Sequence, residues 1–356
     1  MRYFFAVLFF LHGLISLMGF LKAFNLLELK EFEATISKGA GMIWLLSSIF
    51  LFVVVIQTLN KSELFWIAGG VALILSQTLI FWFWKDAKFG SIVNIILLVL
   101  VALNFTMWNH HRIAINKGNE LVASCKPLSI EETEKLPTLV HSWLKKVGAL
   151  ESEAPAAVRF TQKGKLRLAP DKSWIDFNAN QYVRLNDPAF LWTARVGDGE
   201  MMQFSGVDRF EKGIGNMNIA LFGLFDVVDA KGPTMDQGTA VRYLAEIVWY
   251  PWLAKSKRIE WEEIDGQRIK AIFYLNDLQV EGVFSFNKEG LPTTFEAMRH
   301  NAEKKKMIPW RVDIGEESFQ KKGDVLIPTK AAVSWEFRSG DFHWLDLEVF
   351  DYSQKG

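Results

Sequence analysis

The sequence predicts an α+β membrane protein in which a four-helix transmembrane region precedes a large, curved antiparallel β-sheet domain of half-barrel type with one or two packed helices. Three observations predict it. Of the 40 basic and 40 acidic residues in the 356-residue chain, only 7 and 5 fall in the first 110 positions, which leaves 33 and 35 beyond them. Four apolar runs, at about 3–21, 41–59, 64–84 and 91–108, fill that charge-poor part. From residue 157 onward apolar positions recur with period two in short runs separated by Gly, Asp, Asn and Pro, the pattern of strands with one buried and one wet face. The predicted organisation is a membrane region over 1–110, a connector over 111–127 and a β-rich domain over 128–356.

Each apolar run matches a bilayer hydrocarbon core of about 30 Å at about 1.5 Å per helical residue. Backbone groups in lipid must be satisfied within the segment, so these runs are helices, and short charged connections make consecutive ones antiparallel neighbours. The third ends in Phe81-Trp82-Phe83-Trp84 followed by Lys85-Asp86, an aromatic belt running into headgroup charge. Arg2 precedes the first run, yet no small-x-small cleavage site follows it convincingly, so the run is kept as a helix rather than an export signal. Lys22, Lys30, Lys38, Lys85 and Lys88 lie on one side of the bundle against Arg2, Lys61, Arg112 and Lys117 on the other. That five-to-four excess favours a C-terminal domain outside the cytoplasm, while Arg2 and the terminal amine pull the other way. Inside the spans, His12, Gln77 and Asn94, with Ser76, are candidates for proton or ligand contact. Interhelical hydrogen bonding, with close approach at Gly13 and Gly19, is the plainer role. Paired charges, broken helices and internal repeats, the marks of a transporter, are missing from the sequence, so the bundle reads first as an anchor.

Ser129-Ile130-Glu131-Glu132 has capping-box spacing and opens a helix expected over 129–147, broken or restarted by Pro137. Val140, Trp143, Leu144 and Val147 lie on its packing face. Strands are expected near 158–168, 173–183, 189–196, 201–211, 216–227, 258–264, 269–275, 278–287, 293–300, 308–314, 325–337 and 342–351, with Asp265-Gly266 a hairpin signal. A second helix is expected over 236–250, with Asp236 as N-cap and Pro251 as its stop. Val241, Leu244, Ala245, Val248 and Trp252 mark its apolar face, while Arg242 and Glu246, one turn apart, can pair. A long sheet with one apolar face must curl around a helix or a ligand, since an uncovered face invites aggregation. Nine of the 14 tryptophans lie in this domain, enough aromatic area for a hydrophobic groove, for dense core packing or for seating on a bilayer.

A likeness runs through these residues. His12-Gly13, Met18-Gly19-Phe20-Leu21-Lys22, Ser76-Gln77, Asp86-Ala87-Lys88-Phe89-Gly90 and Asn94 form its first part. Arg242-Tyr243-Leu244-Ala245-Glu246, Trp249-Tyr250-Pro251, Trp261, Asp265, Arg299, Trp310, Ile327-Pro328-Thr329 and Trp335 form its second. Together they resemble an uncharacterised bacterial family of membrane-anchored sequences of unknown function, which implies no activity. The order of many antiparallel strands with an inserted helix is similar to the half-barrel of periplasmic lipoprotein carriers and envelope-stress sensors. That architectural likeness implies an extracytoplasmic domain with an apolar concavity, and fold alone does not fix function.

Chemistry motifs are scarce. The sequence contains no Gly-x-Ser-x-Gly elbow, His-Glu-x-x-His pair, phosphate-binding Gly-Lys-Ser loop or dinucleotide fingerprint. His110, His111, His141, His300 and His343 lack metal-ligand spacing, and Cys125 is the single cysteine, so no metal, cofactor or disulfide is expected. The mixed, near-neutral C-terminal charge implies no nucleic-acid partner. Arg242 with Glu246 is the sharpest polar pair: beside Trp249 and Tyr250 it could hold a ligand carboxylate or phosphate, or lock the helix to the sheet through Asp265 or Arg299. The candidate ligand-binding residues are Arg242, Glu246, Trp249, Tyr250, Trp261, Asp265, Arg299 and Trp335. Three readings follow, in order: a membrane-tethered module binding a lipid, acyl chain or apolar protein segment; an enzyme of unrecognised type acting on a lipid-like substrate; and a sensor or scaffold for another membrane protein. Oligomeric state leaves no mark in the sequence.

Overall fold

A computed structural model of the chain describes residues 2–28, 33–123, 125–128, 136–197 and 203–355. The chain divides into two compact units: Met1–His110 with Gly197–Gln203 and Leu221–Phe225, and the remainder.

In the first unit, α1 (Arg2–Ala23), α2 (Lys38–Leu59) and α3 (Phe65–Trp82) are followed by the single turn α4 (Trp84–Ala87) and by α5 (Gly90–Leu121). Four of these helices are long and apolar enough to cross a membrane. Ser37 caps α2, its hydroxyl accepting from the Ala40 amide at 3.2 Å, which satisfies a donor that the first helical turn leaves free. Phe9, Leu51, Val54, Ala72, Leu97 and Val101 form the apolar centre of the bundle. The last helix runs beyond the apolar stretch that ends at 108, because Asn109–Leu121 is polar yet keeps helical hydrogen bonding; a hydropathy reading stops where apolarity stops.

The second unit holds α6 (Thr138–Lys146) and α7 (Pro233–Ala245). Its first meander comprises β1 (Ala157–Leu166), β2 (Ile175–Arg184), β3 (Ala189–Val196), β4 (Phe204–Glu211), β5 (Ile214–Leu221) and β6 (Phe225–Lys231). After α7 come β7 (Ile259–Glu263), β8 (Arg268–Leu275), β9 (Leu278–Phe286), β10 (Pro292–Asn301), β11 (Lys306–Ile314), the small pair β12 (Phe319–Lys322) and β13 (Val325–Pro328), then β14 (Lys330–Phe337) and β15 (Gly340–Lys355). Thirteen strands form one curled antiparallel half-barrel in the order β6-β5-β4-β3-β2-β1-β15-β14-β11-β10-β9-β8-β7. The two outermost strands, β6 and β7, are the ones that α7 connects, so the helix has to return across the sheet face, where it packs on β4, β9 and β10. Val241, Leu244 and Ala240 of the helix join Phe273, Phe284 and Phe295 of the sheet in the main core.

Several expectations are adjusted. Ser129–Glu132 lies outside the described residues, and the helix described there is Thr138–Lys146, with Trp143 packed against Phe284 and Phe286. The strand expected over 216–227 is two strands, β5 and β6, because Phe222 and Gly223 take positive φ values of 55° and 61° and turn the chain. Helix α7 begins earlier than Asp236: Gly232 precedes it, Pro233 occupies its first position, and Asp236 instead accepts from the Gly215 amide at 2.7 Å. Proline suits that first position, since its missing N–H would have no helical partner. The helix ends at Ala245, and two 3₁₀ turns, Glu246–Trp249 and Pro251–Lys255, carry the chain onward.

Candidate functional site

Register places the site. Residues directly opposite in an antiparallel pair share a face, and Phe160, Gln181, Trp192 and Asp208 form one such row across β1 to β4. The same face carries the rows Gln162–Ala179–Ala194–Gly206 and Gly164–Phe177–Val196–Phe204. The middle row is built largely of Ala and Gly, and beside it lies a hollow of about 430 Å³ bounded by Gln162, Phe177, Trp192, Val196, Phe204 and Gly206 on this wall. Trp310, Val312, Trp344 and Leu347 form the opposite wall, and Ala245, Glu246, Val248 and Trp249 lie across it. Its volume falls in the range of about 300–1,000 Å³ common for small-ligand pockets.

Arg242 projects from α7 into a polar knot at the edge of this hollow. Its Nε donates to Glu246 Oε1 at 2.7 Å, one Nη to Asp208 Oδ2 at 2.7 Å and the other to Gln181 Oε1 at 3.1 Å. The Gln181 amide in turn donates to the second Glu246 oxygen. The guanidinium also lies 4.9 Å from the Phe190 ring and 5.1 Å from the Trp192 ring, while the Trp192 indole donates to Gln162 at 2.7 Å. Burial pushes the Asp208 carboxyl up from its ordinary range, against the pull of Arg242 and Arg299. Burial alone would lower Arg242, but the Glu246 and Asp208 carboxylates outweigh it and hold the guanidinium firmly charged. Arg299 differs. It lines the same hollow from β10 with its guanidinium 4.9 Å from the Trp310 ring, and burial together with the Arg242 charge lowers it to about 10.

Of the residues singled out from the sequence, Arg242, Glu246, Trp249 and Arg299 border the hollow. The others do not. Tyr250 is fully buried and donates to the Tyr243 carbonyl at 2.7 Å. Trp261 donates to the Ala254 carbonyl at 3.1 Å and packs near Phe284. Asp265 sits in the exposed β7–β8 turn, accepting from the Gln267 and Arg268 amides and pairing with the Arg268 side chain. Trp335 is partly buried against the main core, opposite Trp310. The partner of Arg242 beyond Glu246 is therefore Asp208, since Asp265 is held in its own turn. Asp208 and Gln181 are the members that sequence reasoning missed, and parity could have found them. Both stand at inward positions, between Gly206 and Phe210 and between Ala179 and Val183, where an apolar residue is expected.

In the first unit His12 Nε2 lies 3.1 Å from Ser76 Oγ, Asn94 Nδ2 donates to Gln77 Oε1 at 3.0 Å, and Gln77 Nε2 donates to Ser91 Oγ at 3.0 Å. His12 and Ser76 border a second hollow of about 380 Å³. Among the described residues no group of three or more His, Cys, Asp or Glu is placed to hold a metal ion.

Four apolar helices followed by a curled antiparallel half-barrel, with a hollow beneath its crossing helix, define an α+β protein. Within it, the chain belongs to the family of unknown function DUF6544, which matches residues 126–347. A solved structure of a DUF1329 family protein from Desulfovibrio piger is similar over 56% of this chain and 86% of that chain, at 9% identity and a TM-score of 0.33. Comparison with curated proteins gives no match.

Proposed function

We propose that the half-barrel is a membrane-tethered binding module whose hollow holds a lipid acyl chain. The hollow itself carries this reading: apolar and aromatic walls with a few convergent polar groups are the usual make-up of a site for an apolar ligand, and Val196, Phe204, Ile219, Trp310 and Trp344 supply such walls here. Leu168 and Val227 border it while remaining 70% and 52% exposed, which suits an apolar ligand passing between the hollow and its surroundings. Both carboxylates of the polar knot end on Arg242, an arrangement better suited to positioning than to proton transfer.

Gly206 offers the test. A Cβ there meets only the Trp192 ring, at 3.5 Å, so a Gly206→Phe ring has room only in the hollow. Native mass spectrometry of the full chain purified from its own membrane is expected to show one co-purifying apolar ligand, and Gly206→Phe is expected to remove it without lowering Tm. An empty wild-type protein, or full retention by the variant, sinks the reading.

The five-to-four lysine and arginine excess supports an inner-membrane anchor with the half-barrel outside the cytoplasm. A Leu168→Cys side chain in a Cys125→Ser background is then labelled by a membrane-impermeant maleimide in intact cells. Labelling only after lysis reverses the orientation.

A further inference from the structure

We infer that the hollow is specific for amphiphiles with a carboxylate head, which Arg299 receives while the chain lies along the apolar walls. The inference rests on the acyl-chain reading above and adds the chemistry of the headgroup. Five ionisable side chains border the hollow: Arg242, Arg299, Asp208 and Glu246 are electrostatically coupled, while Arg167 donates to the His343 and Pro170 carbonyls. Arg242 consumes both carboxylates through direct ion pairs of 2.7 Å. The Arg299 guanidinium makes no hydrogen bond or ion pair with any described residue, and its coupling to Asp208 and Glu246 is through space only.

Its position is nonetheless built. The Trp310 ring lies 4.9 Å from the guanidinium, and Gly238 of α7 leaves it room, since a Cβ there would come within 3.3 Å of its Nε. Gln237, the preceding residue, donates to the Met298 carbonyl at 2.8 Å, which pins α7 to the strand that carries Arg299. Even lowered to about 10 the group is cationic at neutral pH. A held guanidinium presents a planar fork of five N–H donors, and here that fork lacks an acceptor from the described protein. A carboxylate supplies two coplanar oxygens that match it, and the rest of the lining suits a hydrocarbon tail. The competing role for Arg299 is a purely structural countercharge for the two carboxylates, which predicts no headgroup preference.

Native mass spectrometry of the delipidated full-length protein with palmitate or 1-hexadecanol separates these. Wild type is expected to bind one palmitate roughly 10- to 100-fold more tightly than hexadecanol, the range for a hydrogen bond to a charged group. Arg299→Gln should reduce palmitate binding to the hexadecanol level and leave hexadecanol unchanged. Arg299→Lys, which keeps the charge but loses the fork, should give an intermediate preference and guards against a folding defect in the glutamine variant. Equal binding of the two probes by wild type, or a palmitate preference that survives Arg299→Gln, overturns the headgroup assignment alone, whereas palmitate binding that survives Gly206→Phe overturns the acyl-chain reading as well. Failure of wild type to bind either probe overturns the acyl-chain reading as well.

Discussion

The bundle and the half-barrel each bury a polar network, and they build it from opposite materials. In the bundle the network is a histidine, two hydroxyls and two amides, His12, Ser76, Asn94, Gln77 and Ser91, linked at 3.0–3.3 Å. In the half-barrel it is an arginine and two carboxylates braced by Gln181, with ion pairs of 2.7 Å. If the bundle crosses a membrane as proposed, a full charge there is costly wherever it finds no counter-ion, whereas a sheet wall can deliver counter-ions from several strands at once. The lesson concerns fragility. A chain of neutral hydrogen bonds can lose a member and re-pair, while an ion cluster that loses its central cation strands two buried anions.

Substitution at the centre of each network sharpens the contrast. Arg242→Met, which keeps much of the side-chain volume, is expected to destabilise the half-barrel by about 3–5 kcal/mol, the usual penalty for breaking a buried ion pair from one side. Tryptophan fluorescence of the full chain through a denaturant titration reads it directly, and a loss below about 1 kcal/mol would show that the carboxylates find other partners. Ser76→Ala is expected to cost the bundle only about 0.6 kcal/mol, with a ceiling near 1.7 kcal/mol for an interhelical hydrogen bond in a membrane protein. The same measurement on α1–α5 in bicelles tests that value. A Ser76→Ala effect exceeding that of Arg242→Met would reverse the comparison.

Local features of the fold were legible and long-range ones were not. Apolar runs announced α1, α2, α3 and most of α5, and period-two alternation announced β8 and β9 almost to the residue. The Arg242–Glu246 pair followed from helical spacing, because residues one turn apart must be neighbours. That Asp208 completes it depends on β3 and β4 meeting in a register where Trp192 faces Asp208, and no local pattern encodes that. Asp265 was misjudged for a related reason. An Asp-Gly turn residue satisfies its carboxylate on the amides two and three positions ahead, which removes it from any site before tertiary structure is considered. Trp261 and Trp335 show the limit of aromatic content as a guide, since a tryptophan in a sheet of this size packs against the core as readily as it borders a hollow.

The strand β15 stands in the middle of the sheet, hydrogen-bonded to β1 on one side and β14 on the other, although every other strand precedes it in the chain. Two ribbons, β1–β6 and β7–β14, therefore leave the ribosome before the piece that joins them exists. Such late, distant pairing makes closure slow, and until it happens each ribbon shows neighbours an open edge of the kind that chaperones shield.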